Sequence, residues 1–193
     1  MSDPFPGDAR TNRERMLAGD WYIADDPENA RRAQRAVRLA ERYRIASIED
    51  ERTALSILAE LLGHLGEDAF VKPPLHVDYG DHLSIGARTF VNVNLTALDV
   101  APITIGEDCQ IGPNVQLLTP VHPLEAQPRR NRLEAAKPIT IGDNVWLGGG
   151  VIVCPGVTIG DDTVVGAGSV VTRDLPANVL AVGSPARVLR ELA

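Results

Sequence analysis

Residues 141–171 read IGDNVWLGGGVIVCPGVTIGDDTVVGAGSVV and place an aliphatic residue at every sixth position. Glycine directly follows most of these residues, as in Ile141-Gly142 and Ile159-Gly160. A period of six is typical of neither an α-helix nor an ordinary strand, but of a parallel β-helix, in which three hexapeptides form one turn of a triangular coil. We therefore predict that six side chains point into the interior of such a coil: Ile141, Leu147, Val153, Ile159, Val165 and Val171.

The same register continues upstream, which predicts a longer coil. Ile105 and Ile111 are six positions apart, and each precedes a glycine. Ile85-Gly86 and Tyr79-Gly80 extend the pattern toward the N-terminus, with two extra residues around positions 100–102 that shift its phase. An ordinary β-sandwich is also rich in valine and glycine, but it does not require aliphatic residues in phase over such a span.

Three parts are predicted along the chain. Residues 1–70 form an N-terminal helical segment, because they are rich in charge and alanine and lack the hexapeptide period. Residues 71–183 form the β-helix, from which residues 118–138 are extruded as a loop, because TPVHPLEAQPRRNRLEAAKP contains no aliphatic-glycine hexads. A long loop on a rigid solenoid is a good place for function. Residues 184–193 form a C-terminal cap, a short helix or strand that closes the coil.

Two helix starts are visible within the N-terminal segment. Asp26-Pro27-Glu28 predicts the first, with Asp26 as the capping residue and Pro27 at the first helical position. Ser47 and Asp50 resemble a capping box for a second helix. The apolar face of that helix, which we expect to be buried, consists of Leu55, Leu58, Leu61 and Leu62.

The composition limits the classes of partner. The formal net charge of −7 argues against nucleic acid, because phosphate binding normally requires a basic face. No apolar run is long enough to span a membrane and MSDPFPGDAR lacks a hydrophobic signal segment, so we expect a cytoplasmic protein. A hydrophobic content of 44% with only 4% aromatics suits a coil filled by Val, Ile and Leu. We expect the two cysteines, Cys109 and Cys154, to serve packing.

The histidines, at positions 64, 76, 82 and 122, do not predict a metal site. A catalytic zinc needs three grouped imidazoles and an open position for water, and these histidines show no such pattern; His76 and His82 are expected on the surface. His122 lies at the root of the predicted loop between Pro120 and Pro123, which restrict the backbone. A single fixed imidazole suits the removal of a proton from an attacking hydroxyl, so His122 is a candidate general base.

Several motifs between Arg13 and Leu189 together resemble the maltose and galactoside O-acetyltransferases. The segment Met16-Leu17-Ala18-Gly19, followed by Tyr22, is similar to the opening of that family. The hexapeptides alone would indicate only the broader acyltransferase superfamily. The other motifs are Asp78-Tyr79-Gly80, Phe90-Val91-Asn92-Val93-Asn94, Leu98-Asp99-Val100, TPVHPL at 119–124, KPITIGDNVWLG at 137–148 and GSPAR at 183–187.

This resemblance implies a coil that winds left-handed and an enzyme that transfers acetyl from acetyl-CoA to a hydroxyl of a sugar, such as maltose, glucose or a galactoside. It also implies a homotrimer whose active sites lie between adjacent subunits, without a metal. His122 is then the general base. Transfer is expected to be direct, within a ternary complex, because no well-placed nucleophile accompanies this histidine.

The resemblance also implies residues that contact the acceptor. Asn92 matches an acceptor-binding asparagine that is contributed across the subunit boundary. Asp78 and Glu134 match polar positions of the acceptor pocket, and Glu134 is further expected to orient or charge-stabilise the general base. An acceptor-contacting aspartate of the family corresponds to Asp25 or Asp26, between which the local alignment does not decide.

The coenzyme contacts implied by the resemblance lie on the coil and near its C-terminal end. Trp146 matches an aromatic residue that borders the coenzyme channel, and Gly149 and Ala167 match backbone contacts to the pantetheine arm. The positions near the nucleotide end are Thr172, Arg187 and Arg190. Guanidinium groups bind phosphate oxygens well, although a solvated basic tail would have the same composition.

Other functions stay open at this point. A xenobiotic O-acetyltransferase, acting on a chloramphenicol- or streptogramin-type hydroxyl, is similar in coil, histidine loop and trimer. A non-catalytic trimeric scaffold would share the coil without needing His122. Val100 stands where galactoside-type members carry a second acidic residue, and Arg129, Arg130 and Arg132 make the loop basic. The sequence therefore does not define the acceptor.

Overall fold

The computed structural model describes residues 5–192. Its helices are α1 (Asn12–Leu17), α2 (Pro27–Glu49), α3 (Glu51–Leu61) and α4 (Ala126–Arg130), and none of these is long and apolar enough to cross a membrane. Most strands are only two or three residues long. They are β1 (Tyr22–Ile23), β2 (His64–Leu65), β3 (Phe70–Val71), β4 (Leu75–Val77), β5 (Leu83–Ile85), β6 (Phe90–Val91), β7 (Leu95–Leu98), β8 (Ile103–Ile105), β9 (Gln110–Ile111), β10 (Gln116–Leu118), β11 (Pro120–Val121), β12 (Leu133–Ala136), β13 (Ile139–Ile141), β14 (Trp146–Leu147), β15 (Ile152–Val153), β16 (Thr158–Ile159), β17 (Val164–Val165), β18 (Val170–Val171), β19 (Val179–Gly183) and β20 (Ala186–Glu191).

Most of these strands stack in three parallel sheets, one on each side of a triangular coil. The first sheet has the order β2-β5-β8-β13-β16, the second β3-β6-β9-β14-β17 and the third β4-β7-β10-β15-β18. β19 continues the second sheet in parallel, and β20 turns back antiparallel to it. This is the parallel β-helix that the hexapeptide period predicts, and it is consistent with the left-handed winding implied by the family resemblance.

The interior of the coil is filled by the aliphatic residues of the repeat. All six predicted residues between Ile141 and Val171 are at most 1% exposed, which confirms the interpretation of the period. Equivalent residues of successive turns stack on one another, as Ile105, Ile141 and Ile159 do in the first sheet. Cys109 is fully buried in this core and Cys154 packs against it, both as free thiols, in agreement with the packing role predicted for them.

The period is interrupted at one corner of the coil, where the third sheet leads into the first. Val77 and Ile85 are eight positions apart across this corner, and so are Ala97 and Ile105 one turn later. The phase shift predicted near residue 100 is therefore confirmed, and a second one precedes it. Tyr79 falls in that earlier insertion, so its assignment to the hexapeptide register is wrong. It packs outside the coil with Met16, Tyr22, Val100, Ala101 and Ala136.

α2 packs over the first turn of the coil. It begins where the sequence predicts, with the Asp26 carboxylate accepting a hydrogen bond from the Asn29 N–H and Pro27 at the first helical position. Its buried face includes Leu39 and Tyr43, which belong to the same hydrophobic core as the coil. The helix therefore shields apolar residues of the first turn that would otherwise face water.

The cap of α3 differs from the prediction. Asp50 caps the helix, because its carboxylate accepts a hydrogen bond from the Thr53 N–H at 3.1 Å. Ser47 lies inside α2, where its hydroxyl donates to the Arg44 carbonyl. The predicted capping box of Ser47 and Asp50 is therefore wrong, because α2 runs on past Ser47 to Glu49.

The apolar face of α3 is also narrower than predicted. Leu58, Leu61 and Leu62 are buried, but Leu55 is 41% exposed. α3 ends at Leu61, and β2 begins at His64 and pairs with β5. The coil therefore begins within the segment that the composition indicates as helical, and His64 is a strand residue.

The hairpin of β19 and β20 closes the C-terminal end of the second sheet. β20 pairs antiparallel with β19, from Val179 opposite Glu191 to Gly183 opposite Ala186. Of the two forms predicted for the C-terminal cap, a short helix or a strand, the described residues adopt the strand.

The stacked core predicts that substitutions at two adjacent residues of one strand have very different effects on stability. Ile141 points into the coil and is 1% exposed, whereas Thr140 on the same strand is exposed. We expect Ile141→Ala to lower the free energy of unfolding by about 2–5 kcal/mol, because it leaves a cavity in a packed column. Thr140→Ala is the matched control and should change it by less than about 0.5 kcal/mol in urea unfolding. Equal effects of the two substitutions would contradict the assigned register.

Candidate active site

The extruded loop has regular structure at its base. β11 and β12 form an antiparallel ribbon that leaves the coil at the interrupted corner, and β1 adds a third strand with Tyr22 opposite Glu134. On the other side of β12, Val121 lies opposite Ala135, and the next step of this register places His122 opposite Glu134. Directly opposed residues of an antiparallel pair share a face. Tyr22, Glu134 and His122 therefore form one row of side chains.

His122 is held in one tautomer by the ribbon. Its Nδ1 lies 3.1 Å from the Leu133 carbonyl oxygen, and because a carbonyl can only accept, Nδ1 carries the proton. Nε2 therefore has the free lone pair, and it lies 3.7 Å from Oε2 of Glu134. The His122 side chain is 54% exposed, whereas that of Glu134 is 17% exposed. A hydroxyl can thus approach Nε2 from solvent, beside the Glu134 carboxylate.

Tyr22 occupies the other end of the row. Its side chain is 1% exposed, and its O–H donates to Oε1 of Glu134. Burial, together with this hydrogen bond, raises the pKa of Tyr22 far above its ordinary value, so the phenol stays protonated. The sequence indicates no role for Tyr22 beyond its place in the opening motif, because its partner lies 112 positions away.

Asp99 fixes the backbone of residues 78–82, which form the insertion one turn before its own. It is fully buried, and its carboxylate accepts hydrogen bonds from the backbone N–H groups of Asp78, Tyr79 and His82. Its carbonyl oxygen lies 2.9 Å from Nδ1 of His82, so His82 is bound into the corner and not the free surface residue that we expected. Three donors compensate the burial of this carboxylate and fix the backbone that presents Asp78.

Asp78 lies beside the row of side chains on the ribbon. Its carboxylate is partly buried and has no hydrogen bond or salt bridge to any residue between 5 and 192. Burial, followed by the neighbouring Asp99 and Glu134 carboxylates, raises the pKa of Asp78 to about 6. The structure therefore brings together three of the predicted site residues, His122, Glu134 and Asp78.

The two candidate aspartates near the N-terminus differ in their contacts. Asp26 caps α2 and also accepts a hydrogen bond from the Arg13 N–H. The Asp25 side chain is 79% exposed, with a carboxylate oxygen 3.9 Å from the Arg132 guanidinium of the extruded loop. Since the carboxylate of Asp26 is used within the fold, Asp25 is the one of the two that can contact a ligand.

A second group of predicted residues lines a groove on the second sheet. The groove has a volume of about 440 Å³ and is lined by Asn92, Trp146, Gly149 and Ala167, among others. Trp146 lies on β14 and is 55% exposed, which is unusual for an indole without a partner. The structure thus places Asn92 with the predicted coenzyme residues.

The backbone of the groove presents free hydrogen-bond donors. The N–H groups of Gly149 and Ala167, one turn apart, have no acceptor among residues 5–192. At the corner between the first and the second sheet, the equivalent N–H groups of Glu107 and Asp143 donate to the carboxylates of Asp143 and Asp161. The groove corner carries no such carboxylate, so its two donors are available to carbonyl oxygens of a ligand.

The three remaining predicted residues lie farther along the coil. Arg187 and Arg190 are exposed on β20, which extends the sheet that carries Trp146. Thr172 is exposed directly after β18, on the third sheet, and so lies on a different side of the coil from Trp146. The two arginines are therefore on the sheet of the groove, whereas Thr172 is not.

Asp81, His82 and Asp99 form the group of ligand-type side chains within the described range that is compact enough for a cation. Each already has a partner: Asp81 is ion-paired with Arg32, the Asp99 carboxylate accepts three backbone hydrogen bonds, and Nδ1 of His82 is bound to the Asp99 carbonyl oxygen. The Arg32 guanidinium, which is ion-paired with Asp81, also repels a cation at this place. The statement that no metal is required stays a prediction.

The ribbon and the groove lie on different sides of the chain. His122 leaves the coil at the corner between the third and the first sheet, whereas Trp146 and Asn92 belong to the second sheet and its edge. In a triangular coil, the second sheet is opposite that corner. A single chain therefore does not bring the imidazole to the groove.

Two family models match the chain. The maltose acetyltransferase hexapeptide capping motif matches residues 15–66, and the bacterial transferase hexapeptide of six repeats matches residues 138–173. Among curated proteins, nodulation protein L of Rhizobium meliloti (strain 1021) is 47% identical over 93% of this chain and 98% of its own length.

Solved structures agree with these matches. A maltose O-acetyltransferase from Clostridium difficile 630 superposes with a TM-score of 0.93 at 40% identity, over 96% of this chain and 100% of its own. A galactoside acetyltransferase in complex with coenzyme A superposes with a TM-score of 0.91 at 38% identity, over 95% of this chain and 92% of its own. The similarity therefore covers the N-terminal segment, the coil and the extruded ribbon together.

Because the Asp78 carboxylate is partly buried beside other carboxylates, we expect its replacement to stabilise the protein by an amount that depends on pH. The pKa of Asp78 rises from 3.8 to about 6 on folding, so its ionised form destabilises the folded state as the pH rises through this window. We expect Asp78→Asn to raise Tm at pH 7.5, and the gain to shrink toward zero near pH 4. Asp25→Asn, at an exposed carboxylate, is the control in thermal unfolding across this range. A gain that is independent of pH would contradict the assigned burial.

Proposed function

The chain belongs to the hexapeptide-repeat acetyltransferases of the maltose and galactoside O-acetyltransferase type and is an acyltransferase; we propose that it transfers the acetyl group of acetyl-CoA to a hydroxyl of a sugar. His122 is the general base of this transfer. The observation that carries the proposal is the arrangement of His122, with Nδ1 bound to a carbonyl and Nε2 open beside Glu134.

The chemistry requires such a base. A sugar hydroxyl is a weak nucleophile at neutral pH, so its proton must leave as its oxygen attacks the acetyl carbon. Nε2 of His122 accepts that proton, the new C–O bond forms, and the C–S bond of the thioester breaks. The imidazolium then returns the proton to the departing thiolate. Glu134, with Oε2 at 3.7 Å, stabilises the imidazolium while it exists.

The acceptor lies between the ribbon and the corner that Asp99 supports. Glu134 and Asp78 line this pocket, and their carboxylates can accept hydrogen bonds from sugar hydroxyls. Asp25 borders it from the N-terminal segment. Asn92 reaches the acceptor from a neighbouring subunit, because within one chain it lies in the groove on the second sheet.

The coenzyme lies along the groove. Its pantetheine arm contains two amides, whose carbonyl oxygens match the free N–H groups of Gly149 and Ala167. Trp146 borders the arm with its exposed indole. Arg187 and Arg190, farther along the same sheet, meet the phosphates of the nucleotide end, and Thr172, which follows β18 of the third sheet, reaches this end from a neighbouring subunit.

A homotrimer unites the two halves of the site. The ribbon of one subunit lies over the groove of the next, and closed cyclic symmetry repeats this contact three times. This assembly is supported by the position of the ribbon at the corner opposite the groove. Each site then combines His122 of one subunit with Trp146 and Asn92 of its neighbour.

The first test measures thiol release from acetyl-CoA with a panel of maltose, glucose, galactosides, chloramphenicol and a streptogramin. We expect acetylation of at least one sugar and of neither antibiotic. We further expect His122→Ala to lower kcat by about 10²-fold or more with the best sugar, because the base is lost. His76→Ala, at an exposed histidine of β4, is the matched control and should retain full activity.

Two results would overturn the proposal. Acetylation of an antibiotic in preference to every sugar would replace the substrate class. Full activity of His122→Ala with an unchanged oligomeric state would show that His122 is not the general base and would require a different mechanism.

The second test asks whether each site is shared by two subunits. His122→Ala disables the ribbon, and Ala167→Trp fills the groove, so each homomeric variant should be inactive. When the two variants are unfolded together and refolded as mixed trimers, about a quarter of the interfaces combine an intact ribbon with an intact groove. We therefore expect the mixture to recover about a quarter of the activity of wild type that has been refolded in the same way. Inactive mixed trimers, verified by tagged co-purification, would place the whole site within one chain.

A further inference from the structure

We propose that Tyr22 is a positioning residue for the transfer reaction: its phenol holds one oxygen of Glu134, so that the other oxygen faces Nε2 of His122. This inference rests on the proposed function, in which His122 is the general base. Tyr22 does not touch the reacting atoms and acts through Glu134.

The geometry of the ribbon leaves Tyr22 little freedom. Its backbone pairs with Glu134 across β1 and β12, and its ring is packed with Met16, Tyr79 and Ala136. Its O–H is directed at Oε1 of Glu134. Since the side chain is 1% exposed, the phenol cannot turn to solvent without losing this packing.

Glu134 depends on this one donor. Within the described residues, Tyr22 is the hydrogen-bond donor to its carboxylate, and the facing His122 is 3.7 Å away, beyond hydrogen-bond distance. Asp78 also faces this carboxylate, and two carboxylates repel each other, so Asp78 does not hold Glu134 in place. Without the phenol, the carboxylate has no partner that fixes its rotation.

The consequence concerns the lone pair of Nε2. If Glu134 turns freely, it either moves away from the imidazole or approaches Nε2 and competes with the acceptor hydroxyl. In the first case the imidazolium loses its stabilising charge, and in the second the base is blocked. The phenol of Tyr22 prevents both arrangements.

This role gives the N-terminal segment a part in the reaction. Tyr22 lies between α1 and α2, within the part of the chain that matches the capping motif. β1 contributes the third strand of the ribbon, and Tyr22 is the point at which that strand meets the proposed catalytic row. The segment therefore supports the reaction in addition to covering the coil.

The test compares two buried tyrosines. Tyr22→Phe removes only the O–H, and we expect kcat to fall about 10-fold while KM for acetyl-CoA stays unchanged, because the coenzyme groove is remote from the ribbon. Tyr79→Phe is the matched control: Tyr79 is 8% exposed, but its O–H reaches Sδ of Met16 and not Glu134. It should retain full kcat. Thermal unfolding of both variants measures any loss of folding separately.

A double-mutant cycle tests whether Tyr22 acts through Glu134. In the Glu134→Gln background, Tyr22→Phe should cause less than about a 2-fold further loss of kcat, since the carboxylate it positions is already gone. Additive losses, or a full kcat for Tyr22→Phe alone, would overturn the inference. If His122→Ala is fully active, the proposed function itself is wrong; if His122→Ala is inactive and Tyr22→Phe is not impaired, only the role of Tyr22 is wrong.

Discussion

The column of aliphatic side chains inside the coil is the constraint on which the rest of the structure depends. Each turn must place one such residue per sheet at the same depth, and these residues are essentially inaccessible to solvent. A core packed in this way tolerates neither an added nor a missing residue within a strand. Residues can therefore be added only at the corners, and only outward.

The chain uses one corner for all of its larger insertions. Residues 78–82 leave the coil at this corner, residues 99–102 leave it one turn later, and the ribbon leaves it in the following turn. Because successive turns stack, the three insertions stack as well. Asp99 from the second insertion fixes the backbone of the first, and the ribbon places His122 beside them. The side chains of the proposed site are thereby attached to a rigid frame at defined positions.

The sequence predicts those features that are encoded locally. The period of six identifies the buried column residue by residue, and Asp26-Pro27 identifies the start of α2. Both predictions succeed because each signal consists of residues only a few positions apart in the sequence. A prediction from a local pattern is wrong where the same pattern occurs outside the structure that it usually indicates. Tyr79-Gly80 imitates a repeat because an apolar residue precedes a glycine, although the coil has already turned outward there.

Contacts that connect distant parts of the chain have no such signal. Tyr22 and Glu134 meet only because β1 pairs with β12, and Asp99 reaches Asp78 only because two turns of the coil stack. The resemblance to known acetyltransferases named Glu134 and Asp78 as site residues, but it assigned no contact to Tyr22 or Asp99. The contacts that support the proposed site therefore required coordinates, whereas the proposed general base, His122, could be named as a candidate from the sequence.

The two remaining corners of the coil differ in a way that bears on ligand binding. At the corner between the first and the second sheet, the outward N–H groups of Glu107 and Asp143 are bonded to carboxylates of the next turn. At the corner between the second and the third sheet, Gly149 and Ala167 leave the equivalent donors open. Because the same backbone geometry recurs at both corners, the difference lies in the side chains alone: aspartates satisfy the donors at one corner, and small residues leave them open to a ligand at the other.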